Sequence, residues 1–385
     1  MDNLEIQDKT MDKSNRKKVG ILTYHNPDNY GAVLQTYALS EQLKRLGLEV
    51  SVIAYTTQAH LKAYKFFQFN GTPKGLLNSF LSLPNFFRLK RRHQKFAAFR
   101  KEQFSLTRRY ANKEEFLQNL PQLDAIIVGS DQVFQVWEDR ELSVYYLPFY
   151  DTTIKKIAYA PSFGRSVFTP AIDAKITKAL TDFDWLSCRE EIGARHIQEI
   201  TDKNCSLVVD PVLLIGREFW ASIAESQNEY KKPYVFIFDL LGGPYLVNLA
   251  KQLNKGKDLK IVCITTKRFL KRPYHVDKLI WDASPLEFVG WFKNASYVVT
   301  DSFHGSAFAT IFNKPLVSLI INERASDRLE TLLSYLGAKD KLLSRKMISE
   351  GIDVNDYVIN TNATPELEKA INISRNYLKK AISDL

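Results

Sequence analysis

Short apolar runs recur along this chain, and many stop at a loop of polar residues or glycine. They span Lys18–Thr23, Glu49–Tyr55, Leu123–Val128, Lys156–Ala160, Asp184–Cys188, Ser206–Val209, Tyr234–Phe238, Lys260–Thr265, Ser296–Thr300 and Leu316–Ile321. Such runs read as strands buried on both faces, the pattern of parallel sheets. Between the first two, Tyr30–Leu46 has helical spacing, with Leu39, Leu43 and Leu46 on one face and Gly47 as its stop. This βαβ opening predicts an α/β fold with helices covering a parallel sheet. Helices are also predicted over Pro285–Asn294 and Glu366–Ile382.

A single core stops growing near about 250–300 residues, so 385 residues predict two domains. The polar run Glu225–Pro233 reads as the linker. The division expected is a disordered leader over 1–17, a first Rossmann-like domain over 18–225, and a second over 226–385 that carries the closing helix. Residues 60–120 break the alternation; rich in Lys, Arg and Phe, they read as a basic insertion of mostly helical character.

Composition excludes several classes. Hydrophobic residues make up 45% and charged residues 25%, as in globular proteins. No apolar run approaches the roughly 20 residues of a membrane span, and the first 17 residues show no secretory pattern. The three cysteines, Cys188, Cys205 and Cys263, have no metal-ligand or disulfide spacing. A cytoplasmic protein with buried thiols and no metal is expected. The net charge of +10 favours anionic partners. Nine Lys or Arg residues between Arg88 and Arg109 read either as the solvated face of a core-packed helix or as a surface for lipid phosphates. No recognised nucleic-acid module accompanies them, so a nucleic-acid partner is not expected.

The chemistry concentrates at strand ends, where open α/β sheets bind ligands. Thr300-Asp301-Ser302-Phe303-His304-Gly305 joins a strand to a short apolar helix. His304 is the leading catalytic candidate, because histidine moves protons near neutral pH; a structural histidine is the competing reading. Gly305 is read as letting a bound group approach the backbone. Arg189 ends another strand, either clamping a carboxylate or phosphate or pairing with Glu190 and Glu191. Asp131 reads as a base for a hydroxyl group or as a helix cap. Asn29 stands at a strand end and also reads as an N-cap. Arg324, beyond a further strand, either adds charge to the same rim or lies on the surface with Arg328, the helix being capped at Ser326.

Seven segments together resemble the polysaccharide pyruvyl transferase family: Lys18–Leu39, Val128–Gln132, Ile157–Gly164, Ser187–Glu190, Val209–Val212, Thr300–Gly305 and Phe312–Pro315. The resemblance implies a glycosyltransferase-B-like fold, two Rossmann-like domains around a cleft. It implies phosphoenolpyruvate as donor, with no further cofactor, and a glycan or lipid-linked oligosaccharide as acceptor, which would receive a cyclic pyruvate ketal. It places His304 and Arg189 at the donor. Asn29, Tyr30, Ser162, Ser302, Gly305 and Arg324 are the candidate substrate contacts. Family members often carry Arg two residues before the histidine, where this chain has Ser302. Either another cation, Arg324 or a lysine, replaces that charge, or the donor differs. The rival functions are a glycosyltransferase using a nucleotide sugar and a non-catalytic glycan-binding homologue. Membrane contact at the inner face would run through Arg88–Arg109.

Overall fold

A computed structural model describes residues 16–56, 83–149, 153–165, 167–225, 230, 232–270, 273–322 and 326–385. Most of the expected leader, the start of the basic insertion and most of the expected linker lie outside these residues, as does Arg324.

All strand pairing within the two main sheets is parallel. The first sheet has the order β2-β1-β3-β4, from β1 (Lys18–Leu22), β2 (Glu49–Val52), β3 (Ala125–Val128) and β4 (Lys155–Ala158). Two short strands, β5 (Leu186–Cys188) and β6 (Cys205–Leu207), continue it through a bridge between Ile157 and Trp185. The second sheet has the order β12-β11-β10-β7-β8-β9. Its strands are β7 (Tyr234–Asp239), β8 (Lys260–Thr265), β9 (Lys278–Ile280), β10 (Tyr297–Thr300), β11 (Leu316–Ile320) and β12 (Leu343–Ser344). The runs Ala125–Val128 and Tyr234–Asp239 are buried at every position. That explains why they read as continuous apolar stretches rather than alternating ones. The fold is α/β, two Rossmann-like halves built on these parallel sheets and facing one cleft.

The helices that bear on the site are α1 (Tyr30–Arg45), α2 (Phe86–Gln103), α3 (Pro244–Asn254), α4 (Phe303–Ile311), α5 (Asp327–Tyr335) and α6 (Pro365–Ser383). Three of them tie the halves together. Tyr30 of α1 is fully buried, stacks on Phe288 at 4.3 Å, and donates its hydroxyl to Ala283 O at 2.9 Å. The closing helix α6 crosses back to the first sheet. Tyr377 donates to Ala158 O, and Ser374 Oγ accepts from Val209 N, each at 2.8 Å.

Helix α2 carries the basic stretch, and part of that charge faces the protein. Arg91 pairs with Asp282, Lys95 with Glu287 and Arg100 with Asp28. Its apolar stripe of Leu89, Phe96 and Phe99 is buried, and the Phe96 ring lies 4.9 Å from that of Tyr30. Partly exposed ion pairs contribute about 0.2–1 kcal/mol, whereas a buried Phe truncated to Ala costs about 3–5 kcal/mol. Lys95→Ala is therefore expected to shift the urea unfolding midpoint slightly and Phe96→Ala strongly. Equal shifts would show that charge, not the apolar stripe, seats this helix.

Candidate active site

The loop after β10 is fixed by its own side chains. Thr300 Oγ1 donates to Phe238 O at 2.9 Å and accepts from Ser302 N at 3.1 Å. Ser302 N-caps α4, its Oγ accepting from Gly305 N at 3.3 Å. A Cβ on Gly305 would sit 2.4 Å from Thr300 Oγ1. The space this glycine leaves is thus taken by Thr300, letting the helix start close against the strand end, and does not admit a ligand. Asp301 points to the turn between β7 and α3. Its carboxylate accepts from the amides of Leu240, Leu241 and Gly242 at 2.9, 2.6 and 2.6 Å. Asp239 takes the next amide, Gly243 N, at 2.9 Å.

His304 is mostly buried, and its Nε2 lies 3.6 Å from Asp210 Oδ2. That is ion-pair distance, beyond a hydrogen bond. Asp210 is the hub. Its Oδ1 accepts from Val212 N at 3.0 Å, and its Oδ2 accepts from Arg189 Nη1 at 2.6 Å and Ser130 Oγ at 2.7 Å. Burial alone would raise this carboxyl, but His304, Arg189 and Ser130 outweigh burial and hold it well below the usual carboxylate range. Arg189 therefore pairs with Asp210 and not with its neighbours Glu190 and Glu191. Its guanidinium lies 4.5 Å over the Phe303 ring, while Nε and Nη2 are buried without a partner.

Gly31, in the first turn of α1, sets the other side of the imidazole. A Cβ there would stand 2.1 Å from His304 Nδ1. The absent side chain lets the first half close onto a histidine carried by the second.

A cleft of about 430 Å³ opens beside these groups, lined in part by Asn29, Gly31, Asp131, Gln132, Ser302, His304 and Arg328. Asn29 both caps α1, accepting from Ala32 N at 3.3 Å, and borders the cleft. Asp131 has φ 83°, a strained value for a non-glycine residue. Its Oδ1 accepts from Gln132 N at 2.8 Å, and its carbonyl accepts from Ser162 N at 2.8 Å. Arg328 of α5 directs Nη1 and Nη2 at the Gln132 amide oxygen, at 2.7 and 2.5 Å with the amide turned to present that oxygen. Burial, then the charge of Arg189, pull Arg328 down to about 10.

Of the sequence candidates, His304, Asp131, Asn29 and Ser302 line this cleft, and Arg189 lies buried next to it on Asp210. Tyr30 does not: it belongs to the ring cluster between the halves. Ser162 is fully buried and accepts from Gly164 N at 3.1 Å rather than lining the cleft. Asp210, Ser130, Gly31, Gln132 and Arg328 are the residues that sequence reasoning missed as site groups. Asp210-Pro211 gave a signal only as a motif, since Asp before Pro also reads as a helix cap. Among the described residues no group of three or more His, Cys, Asp or Glu is placed to hold a metal ion.

The sequence pattern of one protein family, described as polysaccharide pyruvyl transferase, matches residues 29–323. The chain belongs to this family. It is therefore a transferase of polysaccharide biosynthesis. A comparison with curated protein sequences gives no significant match. Among solved structures it is similar to an S. aureus MnaA–UDP co-structure, at 13% identity and a TM-score of 0.49 over 94% of this chain and 97% of that one. It is also similar to the UDP-N-acetylglucosamine 2-epimerase of Rickettsia bellii, at 12% identity and a TM-score of 0.47 over 96% of each chain. The Arabidopsis thaliana UGT89C1 complex with quercetin matches at 12% identity and a TM-score of 0.44, over 94% of each chain.

Two predictions test this pyruvyl transferase family site. In an open helix Gly→Ala gains up to about 1 kcal/mol, but overpacking costs about 1–3 kcal/mol. Gly31→Ala is expected to lower the thermal midpoint; an unchanged or higher midpoint would show that the imidazole swings freely aside. Asp210 has a depressed native pKa, so its contribution is present above its unfolded value, near pH 4, and is lost as pH falls through the native value. Asp210→Asn leaves Arg189 buried without its counter-charge, a loss of about 3–5 kcal/mol near pH 7. Urea unfolding should show that deficit level from pH 7 to about 4 and shrinking below it; a deficit that does not shrink below about pH 4 would remove the ion pair from the account.

Proposed function

We propose that this family member moves a pyruvyl group from phosphoenolpyruvate to two hydroxyls of one sugar in a cell-surface polysaccharide or its lipid-linked precursor. The reading is carried by His304 held between Asp210 and Gly31, with Arg189 anchored on the same carboxylate. The donor's methylene takes a proton and becomes the ketal methyl group, making C2 electrophilic. One sugar hydroxyl adds to C2, and the second displaces phosphate from it. Of the two hydroxyl protons, one replaces that given to the methylene and the other leaves with phosphate. His304 acts as the acid, at the methylene or at the departing phosphate. Arg189 is the donor clamp, and Asp131 accepts a hydroxyl proton. An ionised Asp210 compensates positive charge on the imidazole and orients the ring.

A nucleotide-sugar donor is the rival. Helix N-termini at strand ends are the usual seats for its diphosphate. At the turn from Leu240 to Gly243, all four amides already bond to Asp301 or Asp239, which disfavours a second anion there. A lipid-linked acceptor at a membrane surface fits the start of α2, where Phe87 is 75% exposed beside exposed Arg88 and Lys90. Among the described residues no helix is long and apolar enough to cross a membrane.

Phosphate release from phosphoenolpyruvate, dependent on an acceptor glycan, tests the reaction. General acids contribute about 10²–10⁴-fold, so His304→Ala should lower kcat by at least about 100-fold. Full activity in that variant would sink the mechanism, and turnover of a nucleotide sugar instead would replace the donor.

A further inference from the structure

Arg328 stands opposite the Asp210 cluster, yet no carboxylate is its close partner. Its first-turn position on α5 sends the guanidinium across the cleft to Gln132, which follows the strained Asp131 in the first half. Both terminal nitrogens converge on one neutral amide oxygen, while Nε is shielded from water with no partner. Glu190, then Asp131 and Asp210, lie near enough to favour its charge, but burial and Arg189 prevail against it. A guanidinium gains most from a planar oxyanion held bidentately. An amide oxygen satisfies its geometry but not its charge. Gln132 and Arg328 both line the cleft, so a ligand there reaches this contact.

We infer that Arg328 is a substrate-anion residue of this cleft, binding an oxyanion of the donor, phosphate or carboxylate, in exchange for the Gln132 amide oxygen. The inference rests on the proposal that the cleft takes phosphoenolpyruvate, and it adds a residue and a specificity determinant to that reading. Arg328, at the cleft wall, then meets the donor directly, while Arg189, buried on Asp210 beside His304, adds positive charge from the first half. Gln132 is the resting partner that competes with it.

Calorimetric titration of the full chain with phosphoenolpyruvate and with inorganic phosphate tests this. Arg328→Ala should weaken phosphoenolpyruvate binding by about 10- to 100-fold, the range for a lost charge-assisted pair. KM should rise while kcat stays within about threefold, as for uniform binding. Arg328→Lys should recover part of the affinity, because it keeps the charge without the fork. Gln132→Ala should tighten binding by about two- to fivefold, since no competing partner must be displaced. Loss of inorganic phosphate binding in Arg328→Ala places the contact at the phosphate; loss for phosphoenolpyruvate alone places it at the carboxylate. If Arg328 merely joins the halves, Gln132→Ala and Arg328→Ala would lower the thermal midpoint and weaken binding alike, which overturns the inference. Should Arg328→Ala fail to fold, the opposite signs expected for Arg328→Lys and Gln132→Ala decide the matter. Wild-type-like affinity in Arg328→Ala would overturn this role and leave the pyruvyl transfer reading intact. A wild-type chain that ignores phosphoenolpyruvate but binds inorganic phosphate through Arg328 would do the reverse. Binding of neither anion would sink both.

Discussion

The Asp210 carboxylate is the point on which the site depends. It collects Arg189 from the end of β5, Ser130 from the end of β3, and His304 from the second half. Each of these groups is buried, and burying charge is costly unless it is compensated. A buried ion pair is weak evidence for stability in itself, because desolvation offsets much of the attraction. What it supplies here is position. The carboxylate oxygen near His304 Nε2 also accepts from Arg189 and Ser130, so a shift of either strand end moves the partner of the imidazole. Arg189 keeps two buried nitrogens without partners, an expensive arrangement that a functional role explains better than a structural one.

That hub requires the halves to be held in register, and apolar packing does most of this. Tyr30, Phe96, Phe238 and Phe288 form one ring cluster between the sheets. Helix α6 closes the other side by returning to Ala158 and Val209. Gly31 sits between cluster and site. The turn that buries Tyr30 in the core also brings Gly31 against His304, so packing and ring placement share one short stretch of α1.

The parallel sheets were legible because strands buried on both faces leave continuous apolar runs, and strand ends leave polar loops. His304, Arg189 and Asp131 were legible as polar residues at such ends. Tyr30 looked like a substrate contact only because it follows the Asn29 loop; which way the first turn of a helix faces depends on packing with residues more than 250 positions away, such as Ala283. Gly305 was rightly suspect as a close-approach position, but sequence does not say that Thr300 is what approaches. Arg328 entered the sequence reading only as a surface residue, near the start of a helix capped at Ser326. It is half-buried and reaches Gln132 across the cleft, a contact that no local pattern encodes. The same holds for Gly31, an unremarked helical glycine until a side chain from the other half is set beside it.

Ser302 shows how such a site redistributes charge. An arginine at this N-cap would bring a cation but leave Gly305 N without the short-range acceptor that a serine hydroxyl provides. Serine satisfies the helix start, and the positive charge facing the cleft comes instead from α5, through Arg328. The cation then arrives on a longer side chain from a different element, aimed across the cleft rather than along its floor. On the proposed reading the donor meets Arg328 of the second half while His304 stands against Gly31 of the first, so how tightly it is held depends on how closely the halves approach. On that reading the ring cluster around Tyr30 and the returning helix α6, which tie the halves together, bear on anion binding as well as on folding.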